Sequence, residues 1–104
     1  MSEKLKPKFE TDVVINDDEI KIHISGYANV HLESKDGSTS IKKKWKAEKD
    51  IKIGLKDKIT EDKINEIIEK IEDEVETKTE EMNERFSSFL NKLRKKWKIK
   101  KIEW

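Results

Sequence analysis

The chain has no cysteine, which excludes disulfides, thiolate metal sites and cysteine nucleophiles. Its three glycines, Gly26, Gly37 and Gly54, stand far apart, so they form neither a phosphate-cradling P-loop nor a dinucleotide fingerprint. Proline occurs once, glutamine never, and aromatic residues make up only 7%. No apolar run approaches the roughly 20 residues that span a bilayer. The opening Met-Ser-Glu-Lys-Leu-Lys-Pro-Lys lacks the apolar stretch of a secretory signal, so a cytoplasmic address is expected. Net charge is also small: 24 Lys and Arg against 23 Asp and Glu leave +1.

What the 104 residues do hold is charge, at 45%, with only 33% hydrophobic residues. An average domain has roughly 25% and 45–50%. Such a composition borders on disorder, but the apolar residues are mostly Ile and are placed periodically. Lysine outnumbers arginine 22 to 2, and isoleucine outnumbers leucine 14 to 5. Lysine and glutamate enrichment with few thermolabile amides is the hyperthermophile pattern, and suggests an archaeon of hot environments or one of its viruses. An AT-rich genome produces the same bias.

The first half reads as strands. Ile20, Ile22, Ile24, Gly26, Ala28, Val30 and Leu32 alternate with polar residues, the mark of a long half-buried strand. Across Asp36-Gly37 the apolar phase switches to Ile41, Trp45, Ala47, Ile51 and Ile53. Opposed residues of antiparallel neighbours share a face. A two-residue Asp-Gly turn of type I′ therefore pairs Leu32 with Ile41, Ala28 with Trp45 and Ile20 with Ile53. Upstream, Phe9, Thr11, Val13 and Ile15 alternate before an Asn-Asp-Asp-Glu turn, which sets Phe9 against Gly26. There the missing side chain leaves room for Phe9 and for Trp45 nearby.

The second half reads as one helix, with neither Gly nor Pro between Thr60 and Trp104. Thr60 is placed to cap it, and Glu61 and Asp62 suit the first turn, as Arg94, Lys95 and Lys96 suit the last. The stripe Ile64, Ile68, Ile71, Val75, Lys78, Met82, Phe86, Phe89, Leu93, Trp97 repeats about every 3.67 residues, the period of a straight helix rather than a coiled coil. Its weakest point is Thr77-Lys78-Thr79, where a bend is the alternative. A helix of this span is roughly 55 Å long, matching a strand of 15 residues at roughly 50 Å. The expected fold is α+β and two-layered: a three-stranded antiparallel meander at about 8–16, 19–33 and 38–54 under one helix at about 60–97. A single domain is expected, with residues 1–7 as a flexible N-terminus and 98–104 as a tail that forms a strand or meets a partner.

Little here suggests catalysis. His23 and His31 share a strand face but lie roughly 27 Å apart, too far to share a metal. The serines sit in no nucleophile motif, and one helix over three strands offers little concavity. A non-enzymatic protein without metal or cofactor is expected.

Charge placement carries more. Residues 59–84 hold 3 basic and 11 acidic side chains, a net of −8; residues 85–104 hold 8 and 1, a net of +7. Residues 35–58 hold 9 and 4, a net of +5. Within that block Lys42, Lys44 and Lys46 share the polar strand face with Tyr27, Asn29 and His31, an arrangement that grips phosphates beside a stacking ring. The competing reading is an edge strand that its lysines guard against aggregation. The second block, Arg94, Lys95, Lys96, Lys98, Lys100 and Lys101, is interleaved with Trp97 and Trp104. A nucleic-acid-binding protein using Tyr27, Lys42, Lys44, Lys46 and this cluster is the expected function. The alternative is a homodimeric protein-interaction or inhibitor module, cellular or viral, acting through its charged helix. An acidic first part and a basic last part let two antiparallel helices complement each other, so a homodimer using the helix and the tail is expected.

Overall fold

The computed structural model describes residues 5–55 and 60–104. Alternation at period two builds β1 (Lys8–Ile15), β2 (Glu19–Ser34) and β3 (Ser40–Gly54), followed by the helix α1 (Glu61–Arg94) and a fourth strand, β4 (Trp97–Glu103). The fold is α+β: a sheet on one side, one long helix on the other. β2 lies in the middle, with β3 along one edge and β1 and β4 end to end along the other. The molecule is elongated, 62 × 26 × 17 Å. Its 34-residue helix, roughly 51 Å long, reaches along most of the sheet.

The meander's register follows the hydrophobic pattern. Leu32 opposes Ile41, Ala28 opposes Trp45, Ile20 opposes Ile53 and Phe9 opposes Gly26. The turn that sets this register is not the expected one. Ser34 donates its N–H to the Thr39 carbonyl at 2.8 Å, so residues 35–38 form a four-residue loop. A type I′ turn needs positive φ at both central residues, yet only Gly37 has it, at 79°. Asp36 keeps an ordinary backbone because its carboxylate is already satisfied: it accepts from the Ser34 hydroxyl (2.6 Å), the Ser38 hydroxyl (2.7 Å) and the Ser38 N–H (3.0 Å). These bonds hold the Asp36 carboxyl down at about 2. Two residues more in the loop leave the facing positions unchanged.

The core lies between β2 and α1. Ile20, Ile22, Ile24, Ala28, Val30 and Leu32 are all buried beneath the helix, with Met82, Phe86 and Leu90 above them. Two clusters follow one another along the sheet, and Trp45 packs against both. At Gly26 an added Cβ would meet Phe9 Cε1 at 2.9 Å and Met82 Cε at 3.1 Å. The atoms nearest that space belong to Phe9 and Met82, and Trp45 packs on the same cluster.

The helix runs unbroken through Thr77-Lys78-Thr79, where Thr77 and Thr79 hydroxyls donate back to the Asp73 and Glu76 carbonyls. Thr60 occupies the N-cap position in an extended conformation, but its side chain makes no cap bond. The covered stripe differs from the expected one at both ends. Ile67 packs on the core while Ile64 and Ile68 remain 42% and 45% exposed, and Leu90 is buried. A straight helix over a twisting sheet presents a different flank at each end.

The helix also stops earlier than expected, at Arg94 instead of about 97. No Gly or Pro ends it; the free edge of β2 does. Beyond Tyr27 that edge has lost β1 as a neighbour, and β4 pairs with it from Ser34↔Trp97 to Asn29↔Glu103. Unpaired strand edges are costly to bury and prone to pairing. A β-bulge at Lys100, between Ile99 and Lys101, shifts the side-chain phase, so that Ile99 and Ile102 both pack on the second cluster. The sheet therefore has four strands, and the tail is consumed inside the chain. Trp104 closes the junction of β1 and β4, its indole N–H donating to the Lys6 carbonyl at 3.1 Å beside buried Pro7. Of the N-terminus read as flexible, residues 1–4 lie outside the described residues.

Candidate functional site

The sheet face turned away from α1 is built from the odd-numbered residues of β2 and their partners on either side. Register arranges them in rows of three. Lys8, Tyr27 and Lys46 form one row; Glu103, Asn29 and Lys44 the next; then Lys101, His31 and Lys42; then Lys98, Glu33 and Ser40. In the other direction the rows are Glu10, Ser25 and Glu48, then Asp12, His23 and Asp50. A further row, Val14, Lys21 and Lys52, follows, so the face has a basic half beyond Tyr27, an acidic patch around His23 and two lysines past that patch.

Pairing by β4 makes the basic half. Lys98 and Lys101, which the sequence separates from Lys42, Lys44 and Lys46 by some 50 positions, stand across β2 from them. Alternate residues of a strand are roughly 6.8 Å apart, so the three β3 lysines form an even row. Among the described residues none of Lys42, Lys44, Lys46 or Lys98 has an ion-pair partner. Lys8 Nζ lies 5.9 Å from the centre of the Tyr27 ring. A shallow groove of about 590 Å³ runs past His31, between Lys42 and Ser40 on one wall and Lys100 and Lys101 on the other. A smaller depression, about 210 Å³, lies at Tyr27, Asn29, Lys44 and Lys46.

Two acids moderate this half. Glu103 accepts from Lys101 Nζ at 2.7 Å and from His31 Nε2 at 2.9 Å; these two bonds hold its carboxyl down at about 2. Glu33 pairs with Lys100 at 3.3 Å. At the opposite pole Asp50 accepts from His23 Nδ1 at 2.6 Å. That hydrogen bond raises the imidazole above its usual 6.5, burial opposes it, and the charges of Asp50, Glu48 and Asp12 add to it. Among the described residues no three of His, Asp and Glu are placed to share a metal. None of these residues forms a helix long and apolar enough to cross a membrane.

The structure gathers Tyr27, Lys42, Lys44, Lys46, Lys98, Lys100 and Lys101 around one surface but leaves Arg94, Lys95 and Lys96 at the helix end. Arg94 Nη1 donates to Asn91 Oδ1 there, at 3.2 Å. Lys8 was absent from the expected set, although its place two residues before Glu10 on an alternating strand puts it opposite Tyr27. Comparison with protein-family models, curated proteins and solved structures finds no match for this chain.

Proposed function

We propose that this chain binds nucleic acid, through phosphate contacts on the basic half of its outer sheet face. The observation that carries the reading is the convergence of two distant lysine blocks. Lys42, Lys44 and Lys46 come from one side of β2 and Lys98 and Lys101 from the other, with Tyr27 and His31 between them. An open strand face spaces cations evenly and offers a ring for a base to stack on, while the acidic patch around His23 limits how far a polyanion extends. Edge protection explains lysines on β3 and β4 but leaves their convergence on one face, around Tyr27 and His31, without a role.

A shift assay with single- and double-stranded DNA and RNA, at low and at physiological salt, tests this. Log affinity should fall linearly with log salt, by about 0.9 per neutralised phosphate on duplex DNA and about 0.7 on single strands. Changing Lys42, Lys44 and Lys46 together to Glu should abolish the shift and leave the melting temperature nearly unchanged, since exposed lysines stabilise little. No shift by wild type at low salt, or an undiminished shift by the triple variant, would overturn the reading.

A further inference from the structure

Among the described residues, the end of the molecule remote from the basic face carries most of the exposed large apolar side chains. Val13, Val14 and Ile15 of β1 are 43%, 54% and 55% exposed, beside the half-exposed Ile64 and Ile68 of α1. Val13 and Ile15 oppose Ile22 and Ile20, so they lie on the core side of the sheet, yet the helix does not cover them. Ser34 N–H bonds to Thr39 and Leu55 N–H to Asp18, so the core-facing residues of β2 direct their backbone groups at β3. With that chirality, and a right-handed helix running in the same direction as β2, residues about 60–100° on from Ile67 lean toward β1. Ile64 and Ile68 are those residues. The helix flank and the bare floor of β1 thus form the two sides of one apolar recess.

Among the described residues, the outer backbone edge at this place is also unpartnered. Asn16 N–H bonds to the Glu19 carbonyl, which makes the even residues of β1 the ones bonded to β2. Thr11, Val13 and Ile15 therefore point their N–H and C=O groups away from the sheet. The free edges of β3 and β4 are guarded by lysine at Lys42, Lys43, Lys44, Lys46, Lys98 and Lys100; the stretch Thr11–Ile15 has none. Lysine on an edge strand blocks strand addition.

We propose that the edge of β1 is the contact of a twofold homodimer, in which two copies pair β1 antiparallel into one continuous sheet with both helices on the same side. The occupant is a second copy because the strand is self-complementary. Setting Val14 against its own copy places Val13 against Ile15, so apolar residues face apolar residues, and Asp12 against Asn16. Sliding one pair toward the N-terminus while keeping the faces matched sets Val14 against Asp12 and Ile15 against Thr11, apolar against polar; sliding two or three pairs sets Asp12 against Asp12 or Asp12 against Glu10, which like-charge repulsion disfavours. In the chosen register Val14 forms a pair without hydrogen bonds, in which side chains come closest. Val13 and Ile15 then exchange their free backbone bonds. The two β2 strands would stand three strand spacings apart, roughly 14 Å, wider than the 8–10 Å of packed helices. Ile64 and Ile68 of both copies fill that gap above Val13 and Ile15. The contact differs from one made by the tail, which β4 has used, and it leaves the proposed nucleic-acid face open.

Sedimentation equilibrium from micromolar to millimolar chain tests the inference, with a dimer of twice 12.4 kDa expected. Val14→Asp puts two carboxylates face to face on the twofold and should weaken the dimer by roughly a hundredfold or more. Ile68→Lys, on an exposed helix position, should also shift the equilibrium to monomer. Both should retain the wild-type melting curve when measured as monomers at the same low concentration. If Val14→Asp unfolds, Ile68→Lys alone decides. Because the acidic parts of the two helices are brought near each other, added salt should tighten the dimer by screening, while it weakens nucleic-acid binding. A wild type that stays monomeric at every concentration and salt would overturn the proposal. So would a dimer indifferent to both folded variants.

Discussion

Trp45 is the partly buried side chain that joins the two halves of the core. It sits opposite Ala28, which is 1% exposed, so a large residue covers a small one across the strand pair. Its ring meets Phe86 edge-on with centroids 5.0 Å apart, and it packs against both core clusters. Trp→Ala at a core site costs about 3–5 kcal/mol. Trp45 is partly exposed on an edge strand, so the lower end, about 3 kcal/mol, is expected for Trp45→Ala. For a domain of this size each kcal/mol lowers Tm by about 4–8 °C, giving a fall of roughly 12–24 °C. Trp45→Phe retains an edge-on ring and should lose less than half as much. Thermal melts followed by circular dichroism, with urea titration as a check on two-state behaviour, read the difference. A fall below about 4 °C for Trp45→Ala would mean that the ring contributes little to joining the two clusters, and the packing account of β3 would fail.

Other positions give sharper single readouts. Gly26→Ala pushes a methyl into Phe9 and Met82 and should cost about 1–3 kcal/mol, with Phe9→Leu recovering part of the loss in a double-variant melt. His23 should titrate above 6.5 by NMR, and Asp50→Asn should bring it down. Because the folded value is raised, the His23–Asp50 contribution is complete below 6.5 and is lost as pH rises through the folded value. Asp36 and Glu103 act in the opposite direction: their contributions are present above the ordinary carboxylate range and disappear as pH falls toward about 2, so acid melts of Asp36→Asn should be flatter than those of wild type between about pH 4 and 2. Glu103→Gln releases Lys101 and removes a negative charge from the basic face. Nucleic-acid binding should tighten and its salt slope on duplex DNA should steepen by about 0.9, and a weaker shift would contradict the proposed role of Lys101.

The meander was legible because a period of two leaves only one register that keeps Ile, Ala and Trp on a common side; a slip by one residue exposes them all. The loop chemistry was less legible, since register constrains only the parity of the loop. Serines at 34 and 38 offered Asp36 a hydrogen-bonding alternative to a left-handed backbone. The helix was legible in existence and misplaced in phase. Ile64, Ile67 and Ile68 are equally apolar, and only the twist of the sheet beneath decides which of them is covered.

The tail was the least legible element, and the candidate site depends on it. Residues 95–98 follow helix chemistry as well as strand chemistry, with lysines suited to a helix end, and nothing local stops the helix there. What decides is remote: the half of β2 beyond Tyr27 has no other partner on that edge. Once β4 docks, one short strand serves both layers. Trp97, Ile99 and Ile102 enter the core on one side, while Lys98 and Lys101 join the cations on the other, and the bulge between Ile99 and Lys101 is what allows two isoleucines three residues apart to face the same way. The basic face is therefore a consequence of core formation: whatever weakens the packing of Ile99 and Ile102 also disperses the lysines that Lys42, Lys44 and Lys46 meet across β2.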